Sequence, residues 1–136
     1  MLLRLSILRD SFTVAAAEEV AGSPPHVLSE LIDKALLQRT PEGRFGFHAL
    51  LHQYLDQLLR ENPDLDQDSR RRCAAYYLTF AQTHCTALYR TADVRLLGPL
   101  HIEREPIARV WMLSVAEGYF DLLEGAASLG YYYDMA

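Results

Sequence analysis

The chain has little lysine, little cysteine and no glycine-rich phosphate-binding loop. Its 136 residues include two cysteines and a single lysine, and the formal net charge is -5. Affinity for nucleic-acid backbones comes mainly from clustered lysine and arginine, so this acidic balance disfavours a nucleic-acid surface. Because the sequence has no phosphate-binding loop, any nucleotide would have to be bound by another module.

Long apolar runs are also missing. No stretch approaches the roughly 20 apolar residues of a membrane-spanning helix. The apolar N-terminus is interrupted by Arg4 and lacks the cleavage site of a signal peptide. Cys73 and Cys85 fall on one predicted helix, about 18 Å apart, which is too far for a disulfide. Isolated thiols suit a reducing compartment, and we therefore expect a soluble, cytoplasmic chain.

Three short helices are predicted at the start of a chain that is 50% hydrophobic and 23% charged. This composition is typical of a packed globular protein. The apolar opening predicts a first helix that ends near Asp10. Thr13 is a suitable N-cap for a second helix, which Gly22 ends. A third helix restarts after Pro24, with an apolar face over residues 27–36.

A β-hairpin and a fourth helix follow. Residues 37–39 and 44–47 predict two short strands joined by a Pro-Glu-Gly turn. The fourth helix is expected from about His48 to Arg60, and the Asn-Pro-Asp break after it marks a boundary. Three helices followed by a hairpin predict a winged-helix domain, which we place at residues 1–61.

Residues 62–136 predict a second helical region. A long helix is expected to begin at Asp66 or Asp68. Its predicted inner face consists of Cys73, Tyr76, Tyr77, Phe80, Ala81, His84 and Leu88. Residues 70–72 are the only run of arginines, and neighbouring aspartates are expected to neutralise part of their charge in a solvated first turn.

The remainder of the sequence predicts further helices. An irregular segment is expected first, in which Gly98 and Pro99 interrupt the helical pattern. Helices are then expected over about 103–117 and 120–133. We interpret residues 62–136 as the beginning of an antiparallel helical array, so that the fold class is mainly α. The tyrosine-rich end leads us to expect a piece of a longer protein.

His48 is the most informative single residue. It stands where the strand pattern changes into the helix pattern, so its side chain should have a defined direction. It also lies near a helix N-terminus, where backbone N–H groups favour anions. One interpretation is a contact with a phosphate bound on a neighbouring module. The other is a histidine that is hydrogen-bonded at a domain edge.

Metal binding and catalysis are not expected. His48 and His52 share the four-residue spacing of a zinc-binding helix, but Ala49 stands where a metalloprotease helix carries its glutamate. No third ligand is evident, and catalytic zinc requires three. No set of nucleophile and base is recognisable, so we predict a chain without catalytic residues.

DNA binding by the helix-turn-helix is not expected either. The candidate recognition helix offers His26, Ser29, Glu30, Asp33 and Lys34. Two acids and one lysine make a poor face for the major groove, and the arginine, asparagine and glutamine side chains that read bases are absent from this set. A winged helix used for protein contacts fits this surface better.

Five stretches of the chain carry a family resemblance. They are LSILRDSFTVAAAEEVAG (5–22), LSELIDKALLQR (28–39), GRFGFHALLHQYLDQLL (43–59), RRRCAAYYLTFAQ (70–82) and IARVWMLSVAEGYFDLLEGAASLGYYY (107–133). In this order they resemble the segment just after the nucleotide-binding module of bacterial signal-transduction ATPases with numerous domains. These NB-ARC-like proteins include many transcriptional regulators.

The resemblance implies a winged-helix domain followed by the start of a tetratricopeptide-like array. The family's Met-His-Asp motif corresponds to Phe47, His48 and Ala49. His48 matches the histidine that contacts the phosphate of bound ADP and holds the closed, inactive state. Ala49 replaces the aspartate, so a lock that depends on that carboxylate is not implied. The fragment itself would hold no cofactor, and ADP or ATP would be bound by the missing ATPase module.

The implied function is that of a non-catalytic regulatory segment of an ADP/ATP-dependent signalling switch. Its partners would be the ATPase module of the same polypeptide and a protein that binds the helical region. Two alternatives remain open. One is a stand-alone DNA-binding winged-helix regulator with a helical dimerisation tail, and the other is a helical adaptor that binds only protein.

Overall fold

A computed structural model shows a mainly helical chain with one small antiparallel sheet. It describes residues 2–9, 11–91, 95, 97–119 and 121. In chain order the described elements are α1 (Leu2–Leu5), α2 (Val14–Ala21), α3 (Pro25–Asp33), β1 (Leu37–Arg39), β2 (Phe45–Phe47), α4 (Ala49–Arg60), α5 (Pro63–Thr91), α6 (Leu97–Ile102) and α7 (Arg104–Glu117). The prediction of a mainly α chain with a small hairpin is confirmed at this level.

The chain divides into two compact units, Met1–Cys73 and Ala74–Ala136, and the division falls inside α5. The domain boundary that the sequence predicts after residue 61 is a different position. It falls in the short turn between α4 and α5. That boundary stays a prediction.

Helix α1 is shorter than predicted and ends at Leu5 rather than near Asp10. The Ser6 amide donates to the Leu3 carbonyl at 3.2 Å, and the Leu8 amide donates to the Leu5 carbonyl at 3.0 Å. The Ser6 hydroxyl also donates to the Leu3 carbonyl, at 2.5 Å. These bonds between residues three apart tighten the chain into a 3₁₀-type turn. Leu5 and Leu8 are nevertheless both buried.

Helix α2 has the two caps that the sequence indicated. The Thr13 hydroxyl accepts a hydrogen bond from the Ala16 amide at 3.1 Å. At the other end Gly22 adopts the left-handed conformation, with φ of 67°. Its amide donates to the Glu18 carbonyl at 2.9 Å. Both predictions, the N-cap and the helix stop, are confirmed.

Helix α3 ends at Asp33, earlier than the apolar pattern suggested. Ala35 has a positive φ of 60°, and the Leu36 amide donates back to the Leu31 carbonyl at 2.9 Å. This is the bond pattern of a left-handed helix end, which usually has glycine at the turning position. The chain is thereby released into β1.

The hairpin is joined to the helices through the α1–α2 connection. Strands β1 and β2 pair antiparallel, with Leu37 opposite Phe47. Phe12 and Phe45 each donate their amide to the other's carbonyl at 2.8 Å. Arg44 adds two hydrogen bonds to Ser11, at 2.8 Å to the hydroxyl and 2.9 Å to the carbonyl. The hairpin is therefore part of the packed unit rather than a free appendage.

The core of the first unit lies between the helices and one face of this hairpin. Helix α1 packs against α2 and α4, and α3 packs against β1. The buried apolar side chains are Leu5, Leu8, Phe12, Ala16, Ala17, Val20, Ala21, Leu28, Leu37, Phe45, Leu55, Leu59 and Cys73.

The sequence of α4 has Leu50, Leu51, Tyr54, Leu55 and Leu58 at helical spacing, and this predicted apolar face agrees only in part with the buried one. Leu55 and Leu59 are buried, whereas Leu50 is 71% exposed and Tyr54 is 60% exposed. The sequence marks every apolar residue at helical spacing. Only part of that stripe is covered, because α1 contacts one side of the helix.

Helix α5 begins at Pro63, not at Asp66 or Asp68. Proline suits the first position of a helix, where its missing N–H would have had no helical partner. The arginine run is partly neutralised as predicted: Arg70 contacts Asp66 at 3.0 Å and Arg72 contacts Asp68 at 3.2 Å.

Asp68 also links α5 to α1 within the first unit. It accepts a hydrogen bond from Arg4, and this bond is the main reason why the pKa of Asp68 lies below its usual value. The attraction of Arg4 and Arg72 adds to the effect.

Cys73 and Cys85 are both buried thiols, so the prediction that they form no mutual disulfide is confirmed.

In the second unit the buried face of α5 agrees only in part with the predicted one, because Tyr77, Ala81 and Leu88 are buried as predicted and three other members are not. Tyr76, Phe80 and His84 are only half-buried and form a row of rings, in which Phe80 and His84 stack with centroids 4.2 Å apart. The buried apolar residues of this unit are Ala74, Tyr77, Leu78, Ala81, Cys85, Leu88, Leu100, Ile107 and Val110.

Gly98 and Pro99 do not break the chain as predicted but lie in the first turn of α6. A proline is tolerated there because the first N–H groups of a helix have no helical partner. Helix α7 has nearly the predicted bounds, and Gly118 ends it with φ of 74°. Apart from residue 121, the helix predicted over residues 120–133 lies outside the described residues, and so does the tyrosine run. No helix in the described ranges is both long and apolar enough to cross a membrane.

Candidate functional site

His48 lies at the N-terminus of α4, where the sequence placed it. It is the N-cap residue, with φ of -59° and ψ of 141°, and its Nδ1 accepts a hydrogen bond from the Leu50 amide at 3.3 Å. The side chain is exposed. Since Nδ1 is the acceptor, the neutral ring carries its proton on Nε2, which leaves Nε2–H as a hydrogen-bond donor.

His52 has a different, structural role on the same helix. Its Nε2 lies 2.8 Å from the Ser6 carbonyl oxygen. A carbonyl only accepts, so Nε2 carries the proton and donates it. The ring also lies 6.3 Å from that of Phe47. His52 therefore ties α4 to the turn after α1.

Each of the two histidines makes a hydrogen bond within the first unit. No group of three or more potential ligands is found among the residues that the structure describes. His52 already uses one ring nitrogen on Ser6, and His48 uses one on its own helix. Their four-residue spacing is thus explained by hydrogen bonding within the unit.

A groove of about 450 Å³ runs along α4 in the first unit. Its lining residues are Arg9, Phe47, Ala49, His52, Gln53, Asp56 and Arg60. Sequence reasoning did not find this groove, because Arg9 lies about forty residues before the next lining residue. His48 is not in the lining, although its neighbours on both sides are. We call this feature the α4 groove.

Charge in the α4 groove is carried by two arginines and one aspartate. Arg60 contacts Asp56 at 3.0 Å across one helical turn. Arg9 is exposed and forms no hydrogen bond or ion pair within the described part of the chain. The groove therefore has a net positive charge on a chain whose overall charge is -5.

Next to His48, α4 presents an uncovered apolar surface. Leu50 and Tyr54, four residues apart, share one face of the helix, and both are largely exposed. An apolar pair beside an exposed histidine is a combination that a docking partner could cover.

The candidate recognition helix has the surface that the sequence indicated. His26, Ser29, Glu30, Asp33 and Lys34 are all exposed. Its accessible side chains therefore include two carboxylates, which repel phosphate backbones.

No protein-family model, curated protein or solved structure matches this chain. The winged-helix and NB-ARC-like resemblance therefore rests on the residues of the sequence.

Proposed function

We propose that this chain is a non-catalytic regulatory segment of an ADP/ATP-dependent signalling switch, with a winged-helix domain that docks on an ATPase module of the same polypeptide. The observation that carries the proposal is the exposed His48 at the N-cap of α4, with its ring held by the Leu50 amide. The order of three helices, a hairpin and a fourth helix supports the winged-helix interpretation.

His48 would act by donating Nε2–H to a phosphate oxygen of the nucleotide. Hydrogen bonds to charged groups contribute about 1.5–3 kcal/mol. If the bond forms only in the ADP state, it biases the equilibrium between the two states by roughly tenfold or more, since a switch shifts only by the difference in contact energy. Leu50 and Tyr54 would be covered by the same docking event.

The size of the native polypeptide is the first test of this proposal. An antibody raised against the chain would be used to probe a lysate of the source organism. A band far above 15.5 kDa supports an ATPase module in the same polypeptide. A band near 15.5 kDa contradicts it and favours one of the alternatives.

Variants of the complete protein then test His48. We expect His48→Ala to release ADP faster and to raise the basal output. His48→Ser should do the same, because serine keeps the N-cap but has no imidazole. His26→Ala, an exposed histidine on α3, is the matched control. If His48→Ser behaves like the wild type, the histidine is only a cap and the phosphate contact is wrong.

Tetratricopeptide-like helices in the second unit would transmit the change or bind a protein partner. The DNA-binding alternative is tested by titrating labelled duplex at low salt. Submicromolar, salt-sensitive affinity would favour that alternative, whereas the carboxylates of Glu30 and Asp33 lead us to expect none. A helical adaptor predicts that nucleotide state has no effect on partner binding.

A further inference from the structure

We propose that the α4 groove binds one anionic group, a carboxylate or a phosphate, through the guanidinium groups of Arg9 and Arg60. The inference does not depend on the nucleotide switch, because His48 is not among the groove residues. It rests on how the charged side chains of the groove are occupied.

Arg9 provides a guanidinium without a partner within the described residues. A guanidinium has five N–H donors in a planar fork, which matches the oxygens of a carboxylate or phosphate. Because Arg9 has no partner to give up among the residues that the structure describes, its guanidinium is available for an anion.

Arg60 forms an ion pair with Asp56 that occupies only part of its guanidinium group. The Arg60 guanidinium contacts the Asp56 carboxylate at 3.0 Å. The Arg60 side chain is 61% exposed, whereas that of Asp56 is 23% exposed. One donor of the fork meets Asp56, so the other donors can face a ligand. Asp56 positions the guanidinium and offsets only one of the two positive charges.

The remaining lining residues of the groove carry no further opposing charge. Phe47 and Ala49 are apolar, and Gln53 can donate and accept hydrogen bonds. His52 has its Nε2–H engaged by Ser6, so it is a wall rather than the anion donor. At about 450 Å³ the groove has the volume of a small-ligand site.

The test is a titration of the isotope-labelled chain with sodium phosphate and, separately, sodium acetate, with chloride keeping the ionic strength constant. We expect saturable shifts of the amide signals of Ala49 and Gln53. Saturation by phosphate alone supports a phosphate-bearing ligand, and saturation by both supports a carboxylate as well. Saturation by neither overturns the proposal.

Two charge variants distinguish anion binding in the α4 groove from nonspecific attraction of anions to the chain. We expect Arg9→Gln to weaken binding about two- to fivefold, as for the loss of an exposed ion pair. Lys34→Gln removes the same charge from an exposed position outside the groove and should leave binding unchanged. Unchanged binding in Arg9→Gln, or an equal loss in both variants, would overturn the proposal. Unshifted signals elsewhere in the spectrum show that both variants fold.

Discussion

Replacing Phe12 tests the packing of the first unit most directly. Its ring is fully buried, 6.3 Å from the ring of Phe45 and 6.2 Å from that of Phe47. Its backbone is also paired with Phe45 in both directions. The side chain therefore joins the α1–α2 connection to the hairpin, so its removal should loosen both. Tyr54 on α4 is the matched control, because the sequence pattern places it in an apolar face while the structure leaves it 60% exposed.

The magnitudes follow from burial. Deleting a fully buried phenylalanine side chain costs about 3–5 kcal/mol, and whole domains are stable by only about 5–15 kcal/mol. Phe12→Ala is therefore expected to bring the unit close to unfolding. Phe12→Leu keeps an apolar group and should cost roughly 1–3 kcal/mol. Tyr54→Ala should change stability by less than about 0.5 kcal/mol, as surface substitutions do.

Urea unfolding followed by circular dichroism measures these free energies, with an unchanged slope as the sign that the comparison is valid. The expected order of destabilisation is Phe12→Ala, then Phe12→Leu, then Tyr54→Ala. A loss from Tyr54→Ala as large as that from Phe12→Leu would refute the reasoning. It would mean that the helical pattern, and not the structure, identifies the buried face of α4.

Three further predictions concern caps, backbone conformation and pH. Thr13→Ala should lower the free energy of unfolding by about 1 kcal/mol, while Thr13→Ser retains most of it; an equal loss in both variants would exclude the cap bond. Gly22→Ala should cost about 1–2 kcal/mol, because the space around a new Cβ is open and only the positive φ is strained. Gly98→Ala in α6 should stabilise by about 0.4–1 kcal/mol, since its space is also open and no positive φ opposes it. In thermal unfolding, Gly22→Ala should therefore lower the melting temperature and Gly98→Ala should raise it. Asp68→Asn should lower stability at neutral pH by less than about 1 kcal/mol, the range of exposed ion pairs. The hydrogen bond from Arg4 lowers the pKa of Asp68 in the folded chain, so its stabilisation is present above the unfolded pKa and is lost as the pH falls through the folded one. The variant and the wild type should therefore converge in acid, and a difference that persists there would contradict the assignment.

Local signals in the sequence were sufficient for several elements. Thr13 and Gly22 mark α2 because a hydroxyl cap and a left-handed glycine act within a few residues of the helix ends. The two strands and the position of His48 at the start of α4 were likewise predictable from adjacent residues.

Other local signals were misinterpreted, and contacts between residues far apart in the sequence could not be predicted at all. The ends of α1 and α3 depend on the backbone hydrogen bonds of their last turns. Helix α5 begins at Pro63, a residue type that in the sequence was interpreted as a helix break. The α4 groove could not be predicted, because Arg9 and Arg60 meet there only through the packing of the first unit.

The sequence by itself determined the helical class, the hairpin, the caps and the exposed acidic surface of α3. Each of these follows from residue type and short spacing, which act before the chain has packed. Only the tertiary structure decided which apolar residues are buried. It covered Leu55 and Leu59 and left Leu50 and Tyr54 open. A helical pattern gives an apolar stripe, but the width that is removed from water depends on which other elements pack against it.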